Sequence, residues 1–117
     1  MRDKTLRELQ SEVDDWIQEV GGGYWSPHEN LARISEEVGE LARLINHVYG
    51  PKPKKSTEAA QELGEELADI LFAVICLANS EQIDLEESFA GVLAKVWHRD
   101  RDRYRLKDPA GPQAEDA

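Results

Sequence analysis

Residues 31–48 read LARISEEVGELARLINHV. Leu31, Ile34, Val38, Leu41, Ile45 and Val48 recur at alternating spacings of three and four. That spacing winds one apolar stripe along a helix and makes a seam for a partner helix. Threaded between the stripe residues are Glu36, Glu37 and Glu40. At about 100° per residue, Glu37 falls at the edge of the stripe and Glu40 about 60° further round, while Glu36 points to the far side. Residues 61–78, QELGEELADILFAVICLA, repeat the arrangement. There Glu66 falls inside the arc of Leu63, Ile70, Val74 and Leu77. Asp69 lies about 60° away, with Glu62 close to both. Each helix therefore offers a carboxylate pair at i,i+3 beside the surface it should bury.

Carboxylates against an apolar face are expensive, because burial without compensation protonates them or destabilises the fold. Two such pairs facing each other repel unless a cation sits between them. All the donors are hard oxygens and no His or Cys joins them, which selects Mg²⁺, or Mn²⁺, over zinc or copper. The set also lacks the Glu-x-x-His of di-iron bundles. The competing reading is a solvated acidic face, common on surface helices. The core-facing position of both pairs favours the metal.

Outward from these two segments the chain reads as helices with clear breaks. A first helix is expected from about Lys4 to Val20, with Leu6, Leu9, Val13, Ile17 and Val20 at helical spacing. GGGYWSP, residues 21–27, ends it. Ser26 as N-cap, Pro27 at the first helical position and Glu29 three after the cap start the second helix, which runs to Val48. YGPKPKKS, residues 49–56, is the next break, and a third helix spans about Thr57–Asn79. SEQID leads to a fourth, about Leu85–Tyr104, with Asp84 and Glu87 as a capping box and Phe89, Val92, Leu93, Val96 and Trp97 as its apolar face. The expectation is an all-α four-helix bundle forming one domain over residues 1–105, with residues 106–117 a flexible polar tail. From Ile70 to Ala78 the third helix is apolar on every side, more than one small bundle can surround. That implies an oligomer with this helix at the interface.

The 117 residues carry a formal net charge of −10. Gripping a nucleic-acid backbone requires a basic surface, so a polymer-binding role is disfavoured. A small phosphorylated ligand remains compatible if a divalent cation bridges the charges. The one cysteine, Cys76, lies in an apolar run and reads as a small core residue. The charged N-terminus lacks the apolar region of a secretory signal, and the run from Ile70 to Ala78 is too short to span a bilayer, so a cytoplasmic location is expected and no membrane role.

EEVGE at 36–40 followed by EELAD at 65–69 resembles the EExxE…ExxD signature of the MazG-like all-α nucleotide pyrophosphohydrolases. The likeness extends through GYWSPHENLARISEEVGELARLINHVYGPKPKK, LGEELADILFAVICLANSEQIDLEESF and KVWHRDRDRY. It covers roughly residues 5–105 and matches the compact single-domain branch. The resemblance implies Mg²⁺-dependent hydrolysis of nucleoside triphosphates at the α–β bond, giving a monophosphate and pyrophosphate, by a homo-oligomer (dimer or tetramer). It implies nucleotide-pool house-cleaning as the role. It makes Glu37, Glu40, Glu66 and Asp69 the metal ligands, with Glu37 or Glu40 activating the water. Glu36 is left as a structural ion-pair partner.

On that reading the leaving pyrophosphate needs cations, and Lys54, Lys55, Lys95, Arg99 and Arg103 are the candidates. For Lys95, Arg99 and Arg103 the competing reading is surface charge paired with Asp100 and Asp102. The base needs a flat, partly apolar slot. Tyr24 and Trp25 are the better candidates, Asn79 could read a base edge, and Trp16 competes with a core role, as does Trp97. His28, His47 and His98 carry no assignment. Two other readings stand beside this one: phosphoribosyl-ATP pyrophosphohydrolase, and a non-catalytic helical module that binds nucleotides or a partner.

Overall fold

The computed structural model describes residues 2–51 and 56–101. Lys54, Lys55, Arg103 and the tail 106–117 lie outside the described residues. Among those described are four α-helices, one π-helical turn and no strand. The helices are α1 (Leu6–Trp16), α2 (Pro27–Val48), α3 (Ser56–Ser80) and α4 (Leu85–Asp100). The chain separates into two compact units, residues 1–85 and 86–117. The first holds α1 to α3, and the second holds α4 after its first residue. No helix among the described residues is long and apolar enough to cross a membrane.

Local chemistry sets the boundaries. Thr5 and Glu8 close a reciprocal cap on α1: the Glu8 N–H donates to Thr5 Oγ1 (3.1 Å) and the Thr5 N–H donates to Glu8 Oε1 (2.8 Å). Ser26 and Glu29 do the same on α2, at 3.2 and 2.9 Å, as their spacing predicts. The first helix differs from expectation at its C-terminal end. It stops being α-helical at Trp16 and continues as a π-turn, Ile17–Gly21. The Ile17 carbonyl accepts the N–H groups of both Gly22 and Gly23. Gly22 (φ +83°) and Gly23 (φ +100°) supply the left-handed backbone that ends the turn. Gly21 is needed for space: a Cβ there would lie 2.8 Å from the Trp16 ring. The turn therefore lays Trp16 across Gly21 and against Phe72 of α3, edge to face at 6.0 Å.

Helices α2 and α3 run antiparallel. Residues early in α2 meet residues late in α3 around one cavity, and residues late in α2 meet residues early in α3 around another. Helix α1 also packs on α3, with Gln10 meeting Asn79 and Trp16 meeting Phe72. The buried apolar residues are few: Ile17, Val48, Ala59, Ala73, Ile75 and Ala78. The α2 stripe divides in two. Ile34, Leu41 and Val48 are half-buried or buried, whereas Leu31, Val38 and Ile45 are exposed. On α3, Leu67, Leu71 and Phe72 are exposed as well. Helix α4, taken by itself, shows Phe89, Val92, Leu93, Val96 and Trp97 all exposed.

Candidate active site

The antiparallel pairing of α2 and α3 brings their acids together. Glu37, Glu66 and Asp69 each place a carboxylate oxygen within 4.8 Å of the others. The Glu37 side chain is mostly buried, and Arg33, one turn earlier, donates from Nε to its Oε2 at 2.9 Å. Glu66 Oε2 is buried and no hydrogen-bond donor reaches it. A buried carboxylate oxygen without a donor costs free energy in either protonation state.

The electrostatics follow. Glu66 is pushed up to about 7, first by its hydrogen bond with Glu37, then by desolvation and by the charges of Glu37, Asp69 and Glu40. Glu37 is held below the ordinary carboxylate value, first by that same hydrogen bond and then by Arg33. The two acids thus share one proton, kept on Glu66, because like charges this close cannot both ionise freely. A divalent cation can replace the proton, and the site suits one. Its donors are three hard carboxylates from two rigid helices, and one buried oxygen lacks a partner.

Glu40 lies beside this cluster. Its carboxylate is paired with Arg43 and half exposed, and it lines the same cleft as Glu66 and Asp69. Glu36 lies on the exposed side of α2, where the helical wheel puts it, with no ion pair among the described residues. The cleft has a volume of about 390 Å³, and Glu62 and Glu65 also line it. Arg43 and His47, one turn apart on α2, line it opposite the acids of α3.

On the other side of Glu37 the character changes. A cavity of about 210 Å³ is walled by Trp16, Tyr24, Trp25, Phe72 and Cys76, with Arg33 on its edge. No carboxylate lines it. The guanidinium carbon of Arg33 stands 6.0 Å from the centre of the Trp25 ring. Asn30, almost fully buried, donates to the Trp25 carbonyl (3.2 Å) and fixes the loop to α2. The Tyr24 hydroxyl donates to Asp14 (2.5 Å), and burial, then this bond, pushes the phenol up to about 12. Burial likewise raises the Cys76 thiol, which stays neutral.

Of the base-slot candidates, Trp16, Tyr24 and Trp25 therefore share one cavity. Asn79 does not line it. Its amide accepts from Gln10 Nε2 (2.9 Å) and donates to the Gln10 carbonyl (2.9 Å). Among the phosphate candidates, Lys95 and Arg99 lie on α4, and Arg99 donates to Asp100 at 3.0 and 2.8 Å. Arg33, Arg43 and His47 have no role in the sequence reading. The i,i+4 spacing of Arg33 to Glu37 and the i,i+3 spacing of Glu40 to Arg43 were the available signals. What the spacing does not give is which cavity each cation borders.

The chain is similar to known proteins in sequence and in fold. A protein-family model described as the MazG nucleotide pyrophosphohydrolase domain matches residues 25–104. The "Uncharacterized protein YpjD" of Bacillus subtilis (strain 168) is 49% identical over 108 residues, covering 92% of this chain and 97% of its own length. Among solved structures, the crystal structure of YPJD from Bacillus subtilis superposes with a TM-score of 0.71 at 50% identity, covering 81% of this chain and 97% of that one. The Bacillus-conserved MazG protein, described as a nucleotide pyrophosphohydrolase, superposes with a TM-score of 0.69 at 44% identity, over 81% of this chain and 92% of that one.

Proposed function

The chain belongs to the MazG nucleotide pyrophosphohydrolase family, and from that premise we propose that it hydrolyses (deoxy)nucleoside triphosphates between the α and β phosphates, releasing a monophosphate and pyrophosphate. The observation that carries the reading is the order of features along the α2–α3 pair. An aromatic cavity, a carboxylate cluster and a polar cleft bordered by Arg43 and His47 follow one another. A nucleotide laid along that line puts its base in the cavity, its α-phosphate at the carboxylates and its terminal phosphates in the cleft.

Glu37, Glu66 and Asp69 would hold Mg²⁺, or Mn²⁺, and Glu40 can join them if it exchanges Arg43 for the ion. The bound cation would neutralise the triphosphate and polarise the phosphorus under attack. Glu37 or Glu40 would orient a water and take its proton, and the half exposure of Glu40, outside the three-oxygen cluster, supports Glu40. Arg43 and His47 line the cleft, and on this reading the Arg43 guanidinium would meet the charge of the departing pyrophosphate. The exposed apolar residues of α2 and α3 support a homo-oligomer, dimer or tetramer. The cellular role consistent with this chemistry is removal of unwanted nucleotides in the cytoplasm.

Product analysis tests the reading. The protein is incubated with Mg²⁺ and a panel of ribo- and deoxyribonucleoside triphosphates, and products are separated by ion exchange. Monophosphate with an equal amount of pyrophosphate is expected. Diphosphate with orthophosphate would place the cut at the wrong bond, and no turnover of any triphosphate would overturn the proposal.

A further inference from the structure

Arg33 occupies a position that the reaction scheme leaves unused. Its Nε is held by Glu37 at 2.9 Å, so the side chain is anchored to the carboxylate cluster. Its guanidinium also lies over the Trp25 ring and borders the aromatic cavity. Its two terminal nitrogens make no hydrogen bond among the described residues. The other polar groups on the wall are neutral or engaged: Tyr24 is committed to Asp14, the Asn30 amide nitrogen to the Trp25 carbonyl, and Cys76 is a thiol. The one charged group facing this cavity is therefore a donor.

A ring entering such a cavity is stacked by aromatics on sequence-tolerant terms, because every base has a π face. Discrimination must come from the edge. A guanidinium has donors only, so it pairs with carbonyl oxygens and ring nitrogens and offers nothing to an exocyclic amino group. Charge-assisted hydrogen bonds are roughly twice as strong as neutral ones, so this donor outweighs the neutral groups around it. Planar geometry adds the two-pronged match to an oxygen and an adjacent ring nitrogen that arginine makes with 6-oxopurines. The volume of about 210 Å³ falls below the roughly 300 Å³ at which pockets for drug-sized ligands begin, which suits a ring and not a whole nucleotide.

We infer that Arg33 is a specificity-determining residue that selects 6-oxopurines over 6-aminopurines. The inference rests on the proposed nucleotide reading and deepens it. One matched pair isolates the edge from size and sugar: ITP against ATP. The wild-type protein is expected to favour the oxo member in kcat/KM by about tenfold or more, the discrimination a good arginine–base contact supplies. Arg33→Met, similar in length and uncharged, should bring the ratio close to one, chiefly through KM for the oxo member. Arg33→Lys should fall between.

A second readout needs no turnover. In EDTA, quenching of tryptophan fluorescence, to which Trp16 and Trp25 of the cavity contribute, should report tighter binding of IMP than of AMP, and Arg33→Met should abolish the difference. Equal loss for every base in Arg33→Met would assign Arg33 to Glu37 or to phosphate and overturn the inference. A wild-type preference for amino bases would do the same. If Arg33→Met fails to fold by circular dichroism, Arg33→Lys decides, since retention of the full oxo preference would show that the fork is not the reader. A protein that turns over no triphosphate but still binds IMP over AMP would sink the hydrolase reading and keep this one.

Discussion

Two places bury polar side chains against α3, and they are built to opposite rules. At one, Gln10 of α1 is only 8% exposed, yet each of its amide groups is matched. Its Nε2 donates to Asn79 and to the Ile83 carbonyl, and its Oε1 accepts the Leu85 N–H, at 2.8 to 2.9 Å. Asn79 returns a bond to the Gln10 carbonyl. At the other, Glu66 keeps an oxygen that nothing satisfies, and its neighbours are acids. A satisfied network fixes a fold, whereas an unsatisfied one stores a demand that a ligand can meet. The difference predicts that mutations at the two places separate stability from activity.

The largest effect is expected at the unsatisfied place. Asp69→Asn or Glu66→Gln should lower kcat/KM by about 100-fold or more, as loss of a group that stabilises transition-state charge does. In EDTA the same variants should melt no lower than the wild type, because Asp69→Asn removes a charge from a mutually repelling set and Glu66→Gln imitates the protonated carboxyl already there. Steady-state kinetics beside a thermal melt checks both halves. A variant with full activity would break the metal assignment, and one that unfolds would make the cluster structural.

The mirror image is Gln10→Ala. It strips partners from Asn79, the Ile83 carbonyl and the Leu85 N–H, and should cost about 2–4 kcal/mol of stability, since a buried group left unpaired costs about 1–3 kcal/mol. Chemical denaturation measures it. The folded variant should keep its kcat. A large loss of kcat with stability intact would show that the amide network serves the reaction and erase the contrast.

A pH titration sharpens the comparison further. The folded-state value of Glu66, about 7, lies above its ordinary 4.5. For a raised group the stabilising contribution is complete below the ordinary value and is lost as pH rises through the folded one. The metal-free protein should therefore lose stability from this group as pH climbs toward 8. Glu37, shifted downward, gives the opposite sign at acid pH and stays ionised in this window. On the proposed metal assignment magnesium would displace the shared proton, so its stabilising effect should grow with pH. The Mg²⁺-induced rise in melting temperature should be larger at pH 8 than at pH 6. Equal shifts at both would mean that Glu66 is not a ligand.

The satisfied place was hidden in the sequence and the unsatisfied one was not, for a physical reason. Carboxylates at apolar edges of helices break the binary pattern, so Glu37, Glu66 and Asp69 stand out on a wheel, and Glu36 correctly falls away. The caps at Ser26 and Glu29 are local and equally legible. Gln10 and Asn79 are separated by 69 positions, and an amide on a helix breaks no pattern. The π-turn is also silent, because its apolar residues fit α-helical spacing until three glycines end it. The neighbours of the two cavities were least legible: Arg33, Arg43 and His47 look like an ordinary polar face until antiparallel packing shows which cavity each borders.

The smallest effect isolates burial itself. Arg7 and Asp84 tie α1 to the segment after α3, close to Gln10, with donors from Nε and Nη2 at 3.0 and 2.6 Å. The geometry is good and the charges are full, yet the side chains are 61% and 35% exposed. Water competes for both, and holding two long side chains costs entropy, so such a pair contributes about 0.2–1 kcal/mol. Arg7→Ala should therefore destabilise by less than Gln10→Ala in the same denaturation series, and most of its effect should vanish in about 1 M salt, where the screening length is about 3 Å. If Arg7→Ala matches Gln10→Ala, the amide network owes nothing to its burial. The reason for reading Glu66 as a poised site and Gln10 as a structural clamp would then fail with it.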